Sequence, residues 1–130
     1  MLYESENYSE LNQVAKALSD NDSVFRFCTF ESASLDGGDF GETFLACEFR
    51  SLDFYCTLFN STLFSRCKFE GCTFRGSSFS SCTFLECKFS DCRFLNDNLD
   101  AKCSSSDTKL YACIQNNCEG WHELFKNQLR

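Results

Sequence analysis

Proline is absent from this 130-residue chain, and histidine, tryptophan and methionine occur once each. Without proline, every residue after the first can offer a backbone N–H to strand pairing. No apolar run reaches the roughly 18 residues of a membrane span. The segment from Met1 to Glu6 has neither the basic end nor the apolar run of a signal peptide. We therefore expect a soluble, cytoplasmic protein that makes no membrane contact.

The sequence also lacks the residues of a metal or nucleic-acid site. His122 is the single histidine and no two cysteines have Cys-x-x-Cys spacing, so neither a zinc site nor another cofactor is expected. The net charge is −7, with five acids and one base in residues 1–24. Because no stripe of basic residues is present to neutralise phosphates, direct binding to nucleic acid is not expected.

Phenylalanine, in contrast, is abundant, with 16 residues. From Phe64 to Phe94 a phenylalanine recurs every five residues, and a small residue such as Cys67 or Cys72 lies two positions before each one. A five-residue period rotates successive side chains by roughly 140° on a helix and sends them to opposite faces of a flat strand. The chain must therefore turn as it proceeds, pointing each phenylalanine at a common axis. The predicted core centres are Phe49, Phe54, Phe59, Phe64, Phe69, Phe74, Phe79, Phe84, Phe89 and Phe94.

Units such as Cys67–Gly71 and Cys82–Glu86 have a small residue, a polar residue, a central Phe and two further residues. In these units the chain resembles the Phe-centred variant of the pentapeptide-repeat family. The resemblance implies an all-β solenoid, a right-handed quadrilateral β-helix of about five coils with a short helix at each end. We expect three segments: an N-terminal segment with a capping helix (1–24), the repeat β-helix (25–120) and a C-terminal helix (121–130).

Both terminal helices are predicted from apolar spacing. Val14 and Leu18 follow Leu11 at helical intervals behind Ser9, so residues 9–19 are predicted to form a helix that caps the first coil. The C-terminal helix would carry four apolar side chains: Trp121, Leu124, Phe125 and Leu129. It is too short to be stable alone. We expect it either to cap the last coil or to join two chains, so that the protein is a monomer or a homodimer.

Ten of the eleven cysteines, all except Cys56, occupy the inward slot two residues before a repeat centre. Cys47, Cys67 and Cys87 are 20 residues apart and would stack on adjacent coils. A rung spacing of about 4.8 Å is compatible with disulfides. However, the odd number of cysteines and the expected cytosolic location favour reduced thiols that pack as small apolar groups.

The five-residue register breaks between Phe40 and Phe49, which are nine residues apart. Either Phe44 is the centre, with Glu42 in the inward slot, or Leu45 is the centre, with Thr43 in that slot. Because burying an unpaired carboxylate is costly, we expect Leu45 to point inward and Phe44 outward. The regular units are then expected to continue to a last centre at Leu99.

Sorting outward residues by a 20-residue coil places Phe44, Leu63 and Leu85 on one wall, with Leu58 at the neighbouring corner. Exposed apolar residues in register are typical of a binding surface, although isolated surface leucines are common. The next wall alternates charge and is expected to pair its charges across coils. The apolar wall is therefore the candidate site for a protein partner.

Catalysis is not expected, because the lone histidine has no sequence-local partner and the serines fill repeat positions. We therefore expect a non-enzymatic protein that binds another protein. It would be an immunity or inhibitor protein that occludes a basic, toxin-like partner, aided by its acidity. Alternatively, as the resemblance implies, it is a DNA mimic that binds a type II topoisomerase and protects it from quinolones. A third alternative is a structural or effector scaffold.

Overall fold

The computed structural model describes residues 1–20 and 22–126. The chain winds into a parallel β-solenoid whose strands form four sheets, one on each side of a tube. We name these sides faces A, B, C and D in the order in which the chain visits them. Each five-residue unit contributes one short strand, which pairs in parallel with the strand directly above or below it.

Faces A and B are the longer sheets, with six strands each. Numbered along the chain, face A holds β1 (Leu2–Glu4), β3 (Val24–Arg26), β7 (Thr43–Leu45), β11 (Leu63–Ser65), β15 (Thr83–Leu85) and β19 (Lys109–Tyr111). Face B holds β2 (Asn7–Tyr8), β4 (Thr29–Glu31), β8 (Glu48–Arg50), β12 (Lys68–Glu70), β16 (Lys88–Ser90) and β20 (Ile114–Asn116).

Faces C and D have four strands each. Face C holds β5 (Ser34–Asp36), β9 (Asp53–Tyr55), β13 (Thr73–Arg75) and β17 (Arg93–Leu95). Face D holds β6 (Asp39–Phe40), β10 (Leu58–Asn60), β14 (Ser78–Ser80) and β18 (Ser104–Ser106). The ladder therefore begins at Leu2, ahead of the expected start of the repeat segment at residue 25.

Two short helices stand at the ends of faces C and D. Helix α1 (Leu11–Leu18) follows β2 and packs against β5, while α2 (Trp121–Phe125) packs against β17 and β18. Helix α1 is shorter than the predicted 9–19: it begins after Glu10, which makes no side-chain cap, and Leu11 is exposed. Neither helix, within the part of the chain that the structure describes, is long and apolar enough to span a membrane.

The chain turns at a left-handed residue that follows most strands. Arg66, Gly71, Gly76 and Ser81 occupy successive corners, with φ between 56° and 62°. This conformation bends the backbone between extended segments, and it is strained for every residue except glycine. The corner N–H groups are satisfied by the next coil: the Arg66 N–H, for example, donates to the Leu85 carbonyl at 2.8 Å.

Phenylalanine rings fill the tube as vertical stacks behind the four faces. The rings of Phe44, Phe64 and Phe84 lie 5.1 and 4.8 Å apart, with interplanar angles of 8° and 5°. Rings of neighbouring stacks meet edge to face, as Phe44 and Phe49 do at 76°. All ten predicted centres from Phe49 to Phe94 are buried. The stacking distance is close to the separation of paired strands, about 4.8 Å, so ladder and stacks are compatible.

Small residues in the inward slots bind the backbone of the preceding coil. The Cys67 thiol donates to the Phe44 carbonyl at 3.4 Å, and the Cys87 thiol donates to the Phe64 carbonyl at 3.2 Å. Thr62 does the same with its hydroxyl, at 2.9 Å from the Phe40 carbonyl. All eleven cysteines are free.

The prediction for the register break was wrong. Phe44 is buried and pairs with Phe25 and Phe64 in the strand ladder, whereas Leu45 is half-exposed and Glu42 occupies the inward slot. The segment between β6 and β7 lacks the left-handed corner residue that follows most other strands. Phe44 therefore follows Phe40 by four residues instead of five. Keeping Phe44 in the aromatic stack determines the register here, despite the buried carboxyl.

Leu99, predicted to be the last regular centre, is 90% exposed. It lies in a loop between β17 and β18 that is held by the Asp97 carboxylate, which accepts the N–H groups of Leu99 and Ala101 at 2.8 and 2.9 Å. After this loop the strands resume with Ser105, Leu110 and Gln115 at their centres. The last coil is thus formed although two of its centres are polar.

Phe74→Ala should lower the free energy of unfolding by about 3–5 kcal/mol, because it removes a buried ring stacked between Phe54 and Phe94. Leu99→Ala changes a predicted centre that is exposed in the structure, so it should change the free energy of unfolding by less than about 0.5 kcal/mol. Urea unfolding of both variants measures the difference. Equal effects would contradict this account of the core.

Candidate functional site

Face A is the candidate binding surface, because six of its twelve outward positions are apolar, a larger share than on any other face. Two outward columns flank the buried centres. The first column contains Leu2, Val24, Thr43, Leu63, Thr83 and Lys109, and the second contains Glu4, Arg26, Leu45, Ser65, Leu85 and Tyr111. Parallel pairing places these side chains in register, one rung above another.

The apolar patch of face A consists of Phe27, Leu45, Leu63, Leu85 and Tyr111. Phe27 is 59% exposed at the corner after β3, while Tyr111 and Leu85 are 40% and 37% exposed. Leu45 and Leu63 are half-buried. Ser65 separates Leu45 from Leu85 in the second column. Exposed apolar residues clustered on one sheet are typical of an interaction site.

Charges beside the patch are paired. The Arg26 guanidinium donates to the Glu4 carboxylate and lies 5.7 Å from the centroid of the Phe27 ring. Arg66 and Glu86, at the corner between faces A and B, approach to 3.5 Å. These exposed pairs contribute little to stability. They do leave the centre of face A without an unpaired acid.

The structure distributes the predicted site residues over three environments. Leu63 and Leu85 share face A, as the 20-residue spacing predicted. Leu58 is 45% exposed but lies on face D, between Asp39 and Ser78 on the adjacent coils. Phe44 is inside the tube and cannot contact a partner, so its place in the predicted site is corrected to Leu45.

The C-terminal apolar residues close the end of the tube. Trp121 packs against Phe89 with ring centroids 4.7 Å apart, and Phe125 lies 5.8 Å from Phe94. Leu124 is also buried. These three side chains contact the last coil of their own chain, which is the end-cap arrangement. Leu129 lies outside the described residues.

Face B carries the alternating charges. Arg50 pairs with Glu48 on its own strand and lies 3.9 Å from Glu31 and 3.8 Å from Glu70 on the adjacent coils. All of these groups are substantially exposed, so solvent screens the pairs. Face B is therefore a solvated wall with mixed charge rather than a uniformly acidic surface.

The loop after β17 forms a second projecting feature. The Asn98 N–H donates to the Tyr55 hydroxyl at 3.1 Å, and the Cys56 thiol donates to Asp97 at 3.5 Å. Hydrogen bonds from the Ala101 and Leu99 N–H groups lower the pKa of Asp97. The loop is thereby fixed over face C, with Leu99 at its surface.

Glu42 is a buried titratable group that sequence reasoning placed at the surface. It is 0% exposed, and neither carboxyl oxygen has a hydrogen-bond partner among the residues that the structure describes. Burial raises the pKa of the Glu42 carboxyl to about 7, although the nearby backbone N–H groups of Glu42 and Gly41 act in the opposite direction; the acids Asp20 and Asp39 add to the rise. In the sequence, the four-residue spacing between Phe40 and Phe44 was the signal that Glu42 occupies the inward slot before Phe44.

Two features on which metal or acid–base chemistry could depend are the lone histidine and groups of metal-ligating side chains. His122 is exposed on α2. Across residues 1–20 and 22–126, no three His, Cys, Asp or Glu side chains are grouped so that they could hold a metal ion.

Residues 57–94 match the family model for pentapeptide repeats, in eight copies. No curated protein matches the sequence. Among solved structures, the chain is similar to QnrB1, a plasmid-mediated fluoroquinolone resistance protein. A trypsin-treated variant is 13% identical with a TM-score of 0.48, and full-length QnrB1 is 19% identical with a TM-score of 0.42. The match to the trypsin-treated variant covers 90% of this chain and 66% of that one. The match to full-length QnrB1 covers 86% of this chain and 57% of that one.

The pKa of Glu42 predicts an unusual dependence of stability on pH. The folded protein holds this proton more tightly than the unfolded chain, whose carboxyl titrates near 4.5. Stability should therefore fall as the pH rises from about 4.5 through about 7. Between pH 5 and pH 8, the free energy of unfolding of the parent protein should fall by on the order of 1–3 kcal/mol more than that of Glu42→Gln.

Urea unfolding at the two pH values measures this loss. The matched control is Glu86→Gln, whose carboxylate is exposed and which should retain the pH dependence of the parent. An identical pH dependence in the parent and in Glu42→Gln would show that the buried carboxyl is not the titrating group.

Proposed function

We propose that this chain, a pentapeptide-repeat protein, is a non-enzymatic protein-binding solenoid whose face A contacts the partner. The supporting observation is the apolar patch of Phe27, Leu45, Leu63, Leu85 and Tyr111, four of whose residues lie on paired strands of one sheet. Strand-borne side chains lose little freedom on binding, so less of the interaction energy is spent on ordering the surface.

The size of face A indicates how the partner engages it. Six strands spaced by about 4.8 Å, each about 10 Å long, give a surface on the order of 250 Å². A stable interface covers about 800 Å² on each partner. Face A therefore supplies the apolar centre, and the neighbouring faces B and D supply a polar rim.

The other faces are poorer candidates for the centre of an interface. Face D presents Ser78, Ser80, Ser104 and Ser106 around the single exposed leucine Leu58. Serine is depleted at protein interfaces, and aromatic residues are enriched. Among the described residues, face A alone combines exposed aromatic and leucine side chains in one column.

The specific role that we propose is that of an immunity or inhibitor protein, which occludes a basic partner such as a toxin. The net charge of −7 and the acidic first 24 residues would draw a basic protein towards the solenoid. Long-range attraction of this kind raises the association rate, while the apolar patch limits dissociation. Occlusion needs only shape and tight binding, which a rigid wall provides.

A second candidate is a DNA mimic that binds a type II topoisomerase. Net acidity favours it, but mimicry of a duplex requires a continuous negative surface. Arg50, Lys68 and Lys88 interrupt the charge on face B. A topoisomerase supercoiling assay separates the two candidates: the inhibitor role predicts no effect of the protein on supercoiling.

Leu85→Arg should abolish capture of the partner from extracts of the source cells, with affinity reduced on the order of 100-fold, because it places a charge at the centre of the apolar patch. Affinity purification with quantitative mass spectrometry measures the loss. The matched control is Leu58→Arg, the same change at an exposed leucine on face D, which should retain the partner. If both variants captured the partner equally well, face A would not be the binding site.

A further inference from the structure

A cavity of about 620 Å³ opens at the N-terminal end of the tube, between helix α1 and strands β1 and β2. It is distinct from face A. Tyr3 and Tyr8 line it from the first coil, and Lys16 and Asp20 line it from α1 and the segment that follows. Glu6, at the turn between the two strands, completes the rim.

The two tyrosines end two of the aromatic stacks. Tyr3 lies on Phe25 with centroids 4.9 Å apart and an interplanar angle of 13°, and Tyr8 lies on Phe30 at 5.0 Å and 15°. One face of each ring is therefore occupied by a phenylalanine. Both tyrosines also line the cavity, and the opposite face of each ring points away from the phenylalanine stack.

The cavity has acidic groups beside these rings. The Tyr3 hydroxyl donates to Asp20 Oδ2 at 2.5 Å, and this hydrogen bond lowers the pKa of Asp20, which stays a carboxylate at neutral pH. Partial burial raises the pKa of Tyr8 to about 12, so its ring remains neutral. Neutral aromatic faces next to carboxylates attract a cation and disfavour an anion.

We propose that this cavity is a binding site for a guanidinium group, such as that of arginine. A guanidinium is planar and stacks on an aromatic face, and its N–H donors match carboxylate oxygens. A neutral aromatic ligand would desolvate the Glu6 and Asp20 carboxylates without bringing a positive charge to them. The site is independent of face A, and its test does not require the partner of that face.

Lys16 is the one cation in the lining, and it competes with a bound guanidinium. Replacing it with glutamine removes the like charge and keeps a side chain of similar length. Binding to the cavity should therefore be strengthened by Lys16→Gln and weakened by loss of either carboxylate.

Titration of the full chain with Nα-acetyl-arginine methylamide, followed by NMR shifts of Tyr3 and Tyr8, tests the site. We expect saturable binding with a Kd on the order of 1 mM. Nα-acetyl-citrulline methylamide, which has the same shape without the charge, should bind at least tenfold more weakly. Free arginine serves as a second probe: tighter binding of it would assign the site to a small molecule, and tighter binding of the blocked form to a peptide side chain.

Variants complete the test. Asp20→Asn and Glu6→Gln should each weaken binding roughly fivefold, and Lys16→Gln should strengthen it roughly threefold. Lys102→Gln, on the loop after β17, is the matched control and should have no effect. Absence of saturable shifts, equal binding of the citrulline probe, or unchanged affinity in the Asp20→Asn variant would each overturn the proposal, provided that thermal unfolding of that variant matches the parent.

Discussion

The structure depends on a match between two distances. Paired parallel strands lie about 4.8 Å apart, and stacked aromatic rings prefer a similar separation. One phenylalanine on each short strand can therefore stack on the phenylalanine of the next coil while the backbone hydrogen bonds form. The rings of Phe64 and Phe84, at 4.8 Å, satisfy both conditions together. Each further coil extends the same stacks and ladders.

This match explains why the stack prevails where the repeat is irregular. Moving Phe44 outward would break its contacts with Phe25 and Phe64, each worth about 0.5–1.5 kcal/mol beyond the burial of a large ring. Keeping it inside buries Glu42. Protonation limits the cost of that burial, because a carboxyl with a pKa of about 7 is about half neutral at pH 7. The aromatic column is thus maintained, and the carboxyl adapts its charge.

Much of the fold could be predicted from the period alone, because a five-residue repeat of Phe has few structural solutions. The prediction failed at Phe44, where the spacing shortens to four residues, and at positions where other residues replace Phe. Tyr3 and Tyr8 are also five residues apart, but the surrounding residues do not repeat, so the first two strands were not recognised. Leu99 has the right spacing, yet the hydrogen bonds of Asp97 fold its segment into a loop.

The candidate site was predictable only in part. Leu63 and Leu85 share a face because each face recurs every 20 residues. Leu45 was assigned to the core because the alternative register buries the Glu42 carboxyl, which is costly when it is charged and unpaired. The N-terminal cavity was beyond sequence reasoning, since it depends on how α1 lies over the first coil.

The division between the inside of the tube and its outer walls is the claim on which the rest depends. Solvent paramagnetic relaxation, measured by NMR with a soluble gadolinium chelate, tests it at the adjacent residues Phe44 and Leu45. The account predicts slow relaxation of the Phe44 ring protons, as slow as that of Phe64, and markedly faster relaxation of the Leu45 methyl protons. Enhanced relaxation of the Phe44 ring with protected Leu45 methyl groups would contradict it.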